Sequence, residues 1–182
     1  MKKLFIIIIP FMVMSSCTST KEARSEKAEL RKEKKATEQY LVKNAVETKR
    51  YIIKLDRIYF SHGGIIDLVP RANFIIIDGE KAVISTAYVG RQYDIKPIVG
   101  INMRGRTIEY TVTNNSGKGS YDIAMKINNG KSTSFSVNLT ITSKGYCNAS
   151  IRSLKIDNVR YSGYLVPLSE KASTPPEDKI VI

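Results

Sequence analysis

The chain has 182 residues, 42 % of them hydrophobic and 25 % charged. That is the make-up of one globular domain with appendages, and it excludes a disordered or fibrous chain. Its formal charge of +12 rests on 29 Lys/Arg against 17 Asp/Glu, a balance that favours anionic partners such as lipid head groups, acidic glycans or nucleic acid. A single histidine excludes metal sites built on two or three imidazoles.

At the N-terminus, Lys2 and Lys3 precede the apolar run Leu4–Met14 (LFIIIIPFMVM). Eleven residues make about 16 Å of helix, roughly half the hydrocarbon thickness, so the run is too short for a stable span. It has the length and polarity of a signal peptide. Ser15-Ser16-Cys17 then resembles a bacterial lipobox, with Met14 standing where leucine is common. This reading makes residues 1–16 a lipoprotein signal peptide and Cys17 the first mature residue, the lipidation site. Its acyl chains anchor firmly because each buried methylene contributes about 0.8 kcal/mol. The bland alternative is an ordinary cleaved signal with an incidental cysteine. If Cys17 carries lipid, it does not pair with Cys147, although the cysteine count of two is even. The residues after it, Thr18-Ser19-Thr20-Lys21, contain no aspartate and no acidic cluster. By sorting analogy the expected location is the outer membrane, facing the periplasm.

Residues 17–35 form a polar tether rich in Ala, Glu, Lys and Arg, without Gly or Pro, and such residues favour helix. Two readings fit it: a solvated tether, or a basic arm against anionic head groups. The acids mixed among its bases favour the tether. From Ala36 to Arg50, Leu41, Val42, Ala45 and Val46 recur at the rhythm of one helix face, with Tyr40 alongside. This face is expected to dock on a core.

From Tyr51 onward, short apolar runs alternate with turn signals, the pattern of a sandwich or barrel. The expected strands are Tyr51–Phe60, Ile65–Val69, Asn73–Ile77 and Lys81–Val89, the last two joined at Asp78-Gly79. A second hairpin is expected at Gly105, between Ile98–Arg104 and Arg106–Thr113. After the polar loop Asn114–Lys118, Tyr121, Ile123, Met125 and Ile127 alternate with polar residues, and so do Phe135, Val137, Leu139 and Ile141. Period-two alternation gives each strand one wet and one buried face, hence an antiparallel sheet. Tyr146–Ser153, Val159–Tyr161 and Tyr164–Val166 complete the set. The fold class is therefore mainly β: an antiparallel β-sandwich or barrel-like sheet preceded by one N-terminal helix. The helix plus β domain occupies residues 36–168, and 169–182 form an irregular tail with Pro175-Pro176.

Several short motifs share an order: Phe60 with Gly63-Gly64, Asn73-Phe74 before a hairpin, Tyr88-Val89-Gly90-Arg91, and the closing Tyr161-Ser162-Gly163-Tyr164-Leu165-Val166-Pro167. Over about residues 36 to 168 they resemble the Bacteroides-type lipoprotein family catalogued as domain of unknown function 4251. The resemblance implies a small, mainly β, envelope-anchored domain and supplies no activity.

The chemistry-bearing residues are sparse. His62 beside Gly63-Gly64 reads as an exposed loop residue rather than a general base. Cys147 alternates with Ala149 and Ile151 and is expected in the core, inert rather than nucleophilic. Asp56, Asp67, Asp78, Glu109, Asp122 and Asp157 are scattered, and Asp78 and Asp94 read as turn formers. A glycosidase needs two carboxylates at a fixed gap, which sequence alone does not place. Arg104, Arg106, Arg152 and Arg160 with Tyr110, Tyr146, Tyr161 and Tyr164 fit either a basic aromatic surface or an ordinary solvated sheet face; the latter is favoured. No P-loop, dinucleotide fingerprint, nucleophile elbow or zinc spacing occurs.

The expectation is a cell-envelope lipoprotein whose non-catalytic β domain binds a partner protein, lipid or glycan. It uses no cofactor or metal, contacts the membrane through Cys17, and has no nucleic acid partner. Whether it is an enzyme stays open: the alternatives are a hydrolase of an envelope polymer and a structural spacer.

Overall fold

The computed structural model describes residues 19–60, 63–88, 99–130, 134–154 and 156–168. Two compact units divide between Lys35 and Ala36. The described part of the first is helix, the opening turns of α1 (Ser19–Thr48). Its residues from Arg24 to Lys35 are exposed, as its charged sequence requires.

In the second unit, α1 ends and, among the described residues, nine strands follow: β1 (Arg50–Tyr59), β2 (Ile65–Asp67), β3 (Phe74–Asp78), β4 (Lys81–Tyr88), β5 (Val99–Asn115), β6 (Ser120–Asn128), β7 (Ser134–Thr142), β8 (Tyr146–Ser153) and β9 (Ile156–Pro167). Neighbours pair antiparallel in the order β1-β3-β4-β5-β6-β7-β8-β9. β9 then pairs with β1, from Tyr51↔Pro167 to Tyr59↔Arg160. The sheet is thus a closed eight-stranded barrel, with short β2 beside the end of β1. Closure settles the choice between sandwich and barrel, and it leaves few unpaired edges.

Alternation, broken in β1 between Leu55 and Ile58, fills the interior. Tyr51, Ile53, Leu55, Ile58, Ile75, Ile77, Ile84, Ile123, Ile127, Leu139, Ile141 and Tyr161 are each almost wholly buried. An eight-stranded barrel is just wide enough for such side chains to meet at its centre. Val42, Ala45 and Val46 of α1 join this core, whereas Leu41 is 44 % exposed. The expected four-residue helix face is therefore narrower, and Leu41 points to solvent. Val42 lies against Gly145, and the Tyr110 hydroxyl reaches the Val46 carbonyl at 3.4 Å.

Two glycines part from expectation. Gly105 is not a turn: β5 runs through it for 17 residues, and a side chain there would overlap the Asn128 carbonyl. Gly163 likewise interrupts nothing. The two short strands expected on either side of it are one strand, β9, where a side chain would overlap the Lys54 carbonyl. Glycine marks both places because two backbones approach closely.

Candidate functional site

The barrel interior leaves its chemistry inert. Cys147 is 3 % exposed, and burial pushes its thiol pKa well up, so the thiolate a nucleophile needs does not form near neutrality. His62, Asp94 and Cys17 lie outside the described residues. The carboxylates on the barrel surface are held by neighbours. Asp78 accepts from Arg50 at 3.1 Å and Asp67 from Arg57 at 3.2 Å. Glu109 lies 3.6 Å from Lys126. Asp56 accepts the Ser162 hydroxyl at 2.8 Å, and Asp122 is bonded to Asn115 and Thr140. Arg106 holds the Glu80 carboxyl below its usual range, the opposite of what a general acid needs.

The arginines and tyrosines singled out in the sequence do not form one surface. Tyr161 is buried with its hydroxyl on the Ala87 carbonyl at 2.9 Å, and Tyr110 turns inward to share a hydrogen bond with Tyr51 at 3.0 Å. Arg106 pairs with Glu80. Only Tyr146 and Tyr164 meet outside, directly opposite on β8 and β9.

The recess that gathers polar groups lies where α1 crosses the loops at one end of the barrel. It is a groove of about 510 Å³ lined by Ala36, Gln39, Tyr40 and Lys43 of α1 and by Asn114, Ser116, Gly119, Ser120, Tyr121 and Ser143. The loop between β5 and β6 is tight: Gly119, at φ +60°, donates to the Ser116 carbonyl, and Ser143 donates to the Gly119 carbonyl at 2.8 Å. These bonds fix three serines around one mouth. Tyr40 stands above it, 67 % exposed, on the helix side that does not dock. The groove's one charged side chain, Lys43, is 3.9 Å from Glu47.

Apart from Lys43, which pairs with Glu47, the groove is lined by neutral groups, rich in hydroxyls and amides, and walled by two phenol rings. Sequence reasoning placed Tyr40 beside the helix face and Asn114–Lys118 in a polar loop, but nothing local says that they meet. A helical tyrosine off the apolar face was the available signal.

Comparison with known proteins fits this architecture. The family model described as "Domain of unknown function (DUF4251)" matches residues 33–165, well over half of the chain. The chain belongs to this family. A similar solved structure is the crystal structure of a DUF4251 family protein from Bacteroides eggerthii DSM 20697. It covers 72 % of this chain and 89 % of that one, with a TM-score of 0.62 and 17 % identity. At that identity the likeness establishes the fold shared within DUF4251. No curated protein matches the chain.

Proposed function

We propose that this DUF4251 chain is a lipid-anchored envelope protein whose barrel is a non-catalytic binding module for a neutral glycan. The acyl anchor is Cys17, and the expected location is the outer membrane, facing the periplasm. One observation carries the ligand class. Gln39, Asn114, Ser116, Ser120 and Ser143 converge on one groove beneath exposed Tyr40, and no other described side chain engages their polar ends. Oriented polar groups on an otherwise preformed wall are what fix a small ligand. A pyranose offers the complement, hydroxyls around its rim and a flat apolar face for the Tyr40 ring. The filled barrel interior speaks against a lipid carried inside, and the held carboxylates support a module that binds rather than hydrolyses.

The test has two arms. Full-length protein extracted with its lipid is titrated with neutral oligosaccharides, including N-acetylated amino-sugar chains. Tyr40→Ala and Ser143→Arg should each abolish binding while the barrel stays folded; a chain that binds none of the sugars overturns the ligand reading. Cys17→Ala should move the protein from the membrane to the soluble fraction, and unchanged membrane attachment overturns the anchor.

A further inference from the structure

The barrel is amphipathic around its circumference as well as from inside to outside. On the β5–β8 side, although Ile108 and Val112 of β5 are exposed, two outward rows carry no large apolar side chain: Thr111, Ala124, Asn138 and Ser150 lie opposite one another across successive strands. So do Thr113, Asp122, Thr140 and Asn148. On the other side the register sets Val166, Ile52, Ile76 and Val83 in one outward row across β9, β1, β3 and β4. The adjoining row runs Tyr146, Tyr164, Lys54 and Phe74. The four aliphatic side chains and Phe74 are half-buried, and Tyr146 and Tyr164 are 67 % and 39 % exposed. A soluble barrel has no internal reason for an apolar row on its outside, because its core is already complete.

We propose that this face, β9-β1-β3-β4, is a docking surface for an anionic lipid bilayer. Charge selects that occupant. Lys54 stands within the aromatic row and Arg104 closes the aliphatic row opposite Val83, and neither has an acidic partner among the described residues. Of the nearby acids, Asp78 is paired with Arg50, and Asp56 lies outside both rows, where it accepts the Ser162 hydroxyl. Aliphatic side chains at the surface, tyrosines beside them and unpaired cations are what interfacial binding requires. The polar half of the circumference separates this from a spanning barrel, whose apolar band goes all the way round. The same surface is poorly suited to a second copy, since the charges within its two rows, Lys54 and Arg104, are both cations. The face is independent of both the glycan groove and the Cys17 anchor.

The chain has no tryptophan, so a single reporter gives a clean signal. Tyr146→Trp places it on the proposed face and Asn138→Trp on the polar side. Each full-length variant is mixed with phosphatidylglycerol vesicles whose acyl chains are brominated. The expected result is loss of fluorescence at position 146 and none at 138, reversed by high salt and absent with phosphatidylcholine alone. Adding Ile76→Glu and Val83→Glu should abolish the quenching, with circular dichroism reporting that the barrel remains folded. Equal quenching at both positions, or none at either, overturns the proposal. So does a dimer that Ile76→Glu dissociates without any quenching at 146, which would assign the face to a second copy.

Discussion

Gly163 on β9 lies so close to β1 that a methyl group on its α-carbon would overlap the Lys54 carbonyl. This is the seam that closes the barrel. Just beyond it the register shifts between Leu55 and Arg57, and a short relay crosses the joint. The Tyr59 hydroxyl donates to Ser162 at 3.1 Å, and Ser162 donates to Asp56 at 2.8 Å. Gly163→Ala must push the two strands apart, since the obstacle is backbone and cannot rotate away. The expected cost is about 2–4 kcal/mol, read as a lower urea midpoint. A midpoint within experimental error of the parent would mean that the seam is looser than its register.

Buried phenols make the barrel sensitive to alkali. Burial, with Tyr110 beside it, raises the pKa of Tyr51, and burial raises that of Tyr161. For both, the folded chain holds its proton to higher pH than the unfolded chain, whose tyrosines ionise near about 10. Between those two values the unfolded state has lost protons that the native state keeps, so stability falls as pH rises. Stability should be flat from neutrality to about pH 8, begin to fall where the unfolded Cys147 thiol ionises, about 8.5, because burial keeps the folded thiol protonated, and then decline steeply from the ordinary tyrosine value of about 10. Urea unfolding across this range checks the slope. Tyr161→Phe should lower stability at neutral pH, because the Ala87 carbonyl loses its donor, yet flatten the alkaline decline.

Much of this architecture is legible in the sequence because β structure writes a local signal. The alternation of Tyr121 to Ile127 and of Phe135 to Ile141 is the alternation of wet and buried faces; β7 follows it residue by residue and β6 follows it from Ile123 to Ile127, while Tyr121 is only half-buried. What is not legible is long-range. Gly105 and Gly163 carry the same local sign as a hairpin glycine, and only a distant backbone, at Asn128 or Lys54, reveals close approach instead. The pairing of Leu55 with Gly163 that closes the barrel has no local trace at all. The groove shares this property: Tyr40 and Ser143 come from segments a hundred residues apart and meet only after closure. Leu41 fits the helical rhythm but is exposed, because three smaller side chains already fill the contact.

Cys147 gives a direct measure of how seldom the barrel opens. With Cys17→Ala it becomes the chain's one thiol, and it is buried against the core. Labelling by a thiol reagent should be negligible in the native state at pH 8 and immediate in denaturant. The native rate then reports the opening free energy of β8. Prompt native labelling would place the thiol at the surface and contradict the packing.

Asn73 should be the most demanding polar position in the fold. It is 8 % exposed, and every part of it is used. Its side-chain amide donates to the Val69 carbonyl at 2.9 Å, and its carbonyl oxygen accepts the Ala87 amide at 2.7 Å and the Thr86 hydroxyl at 3.3 Å. Its backbone carbonyl accepts the Leu55 amide at 2.9 Å. One residue thus ties the entry to β3 to the end of β4 and to the middle of β1. Asn73→Ala leaves buried donors without an acceptor, at about 1–3 kcal/mol for each group left unpaired. Asn73→Asp keeps the acceptor but removes the donor to Val69 and adds a charge with little water around it. Both should lower the thermal midpoint, the aspartate less at acidic pH, where it is protonated and can donate again. Calorimetry at two pH values separates them; equal midpoints for Asn73→Asp at both would show that this oxygen is solvated after all.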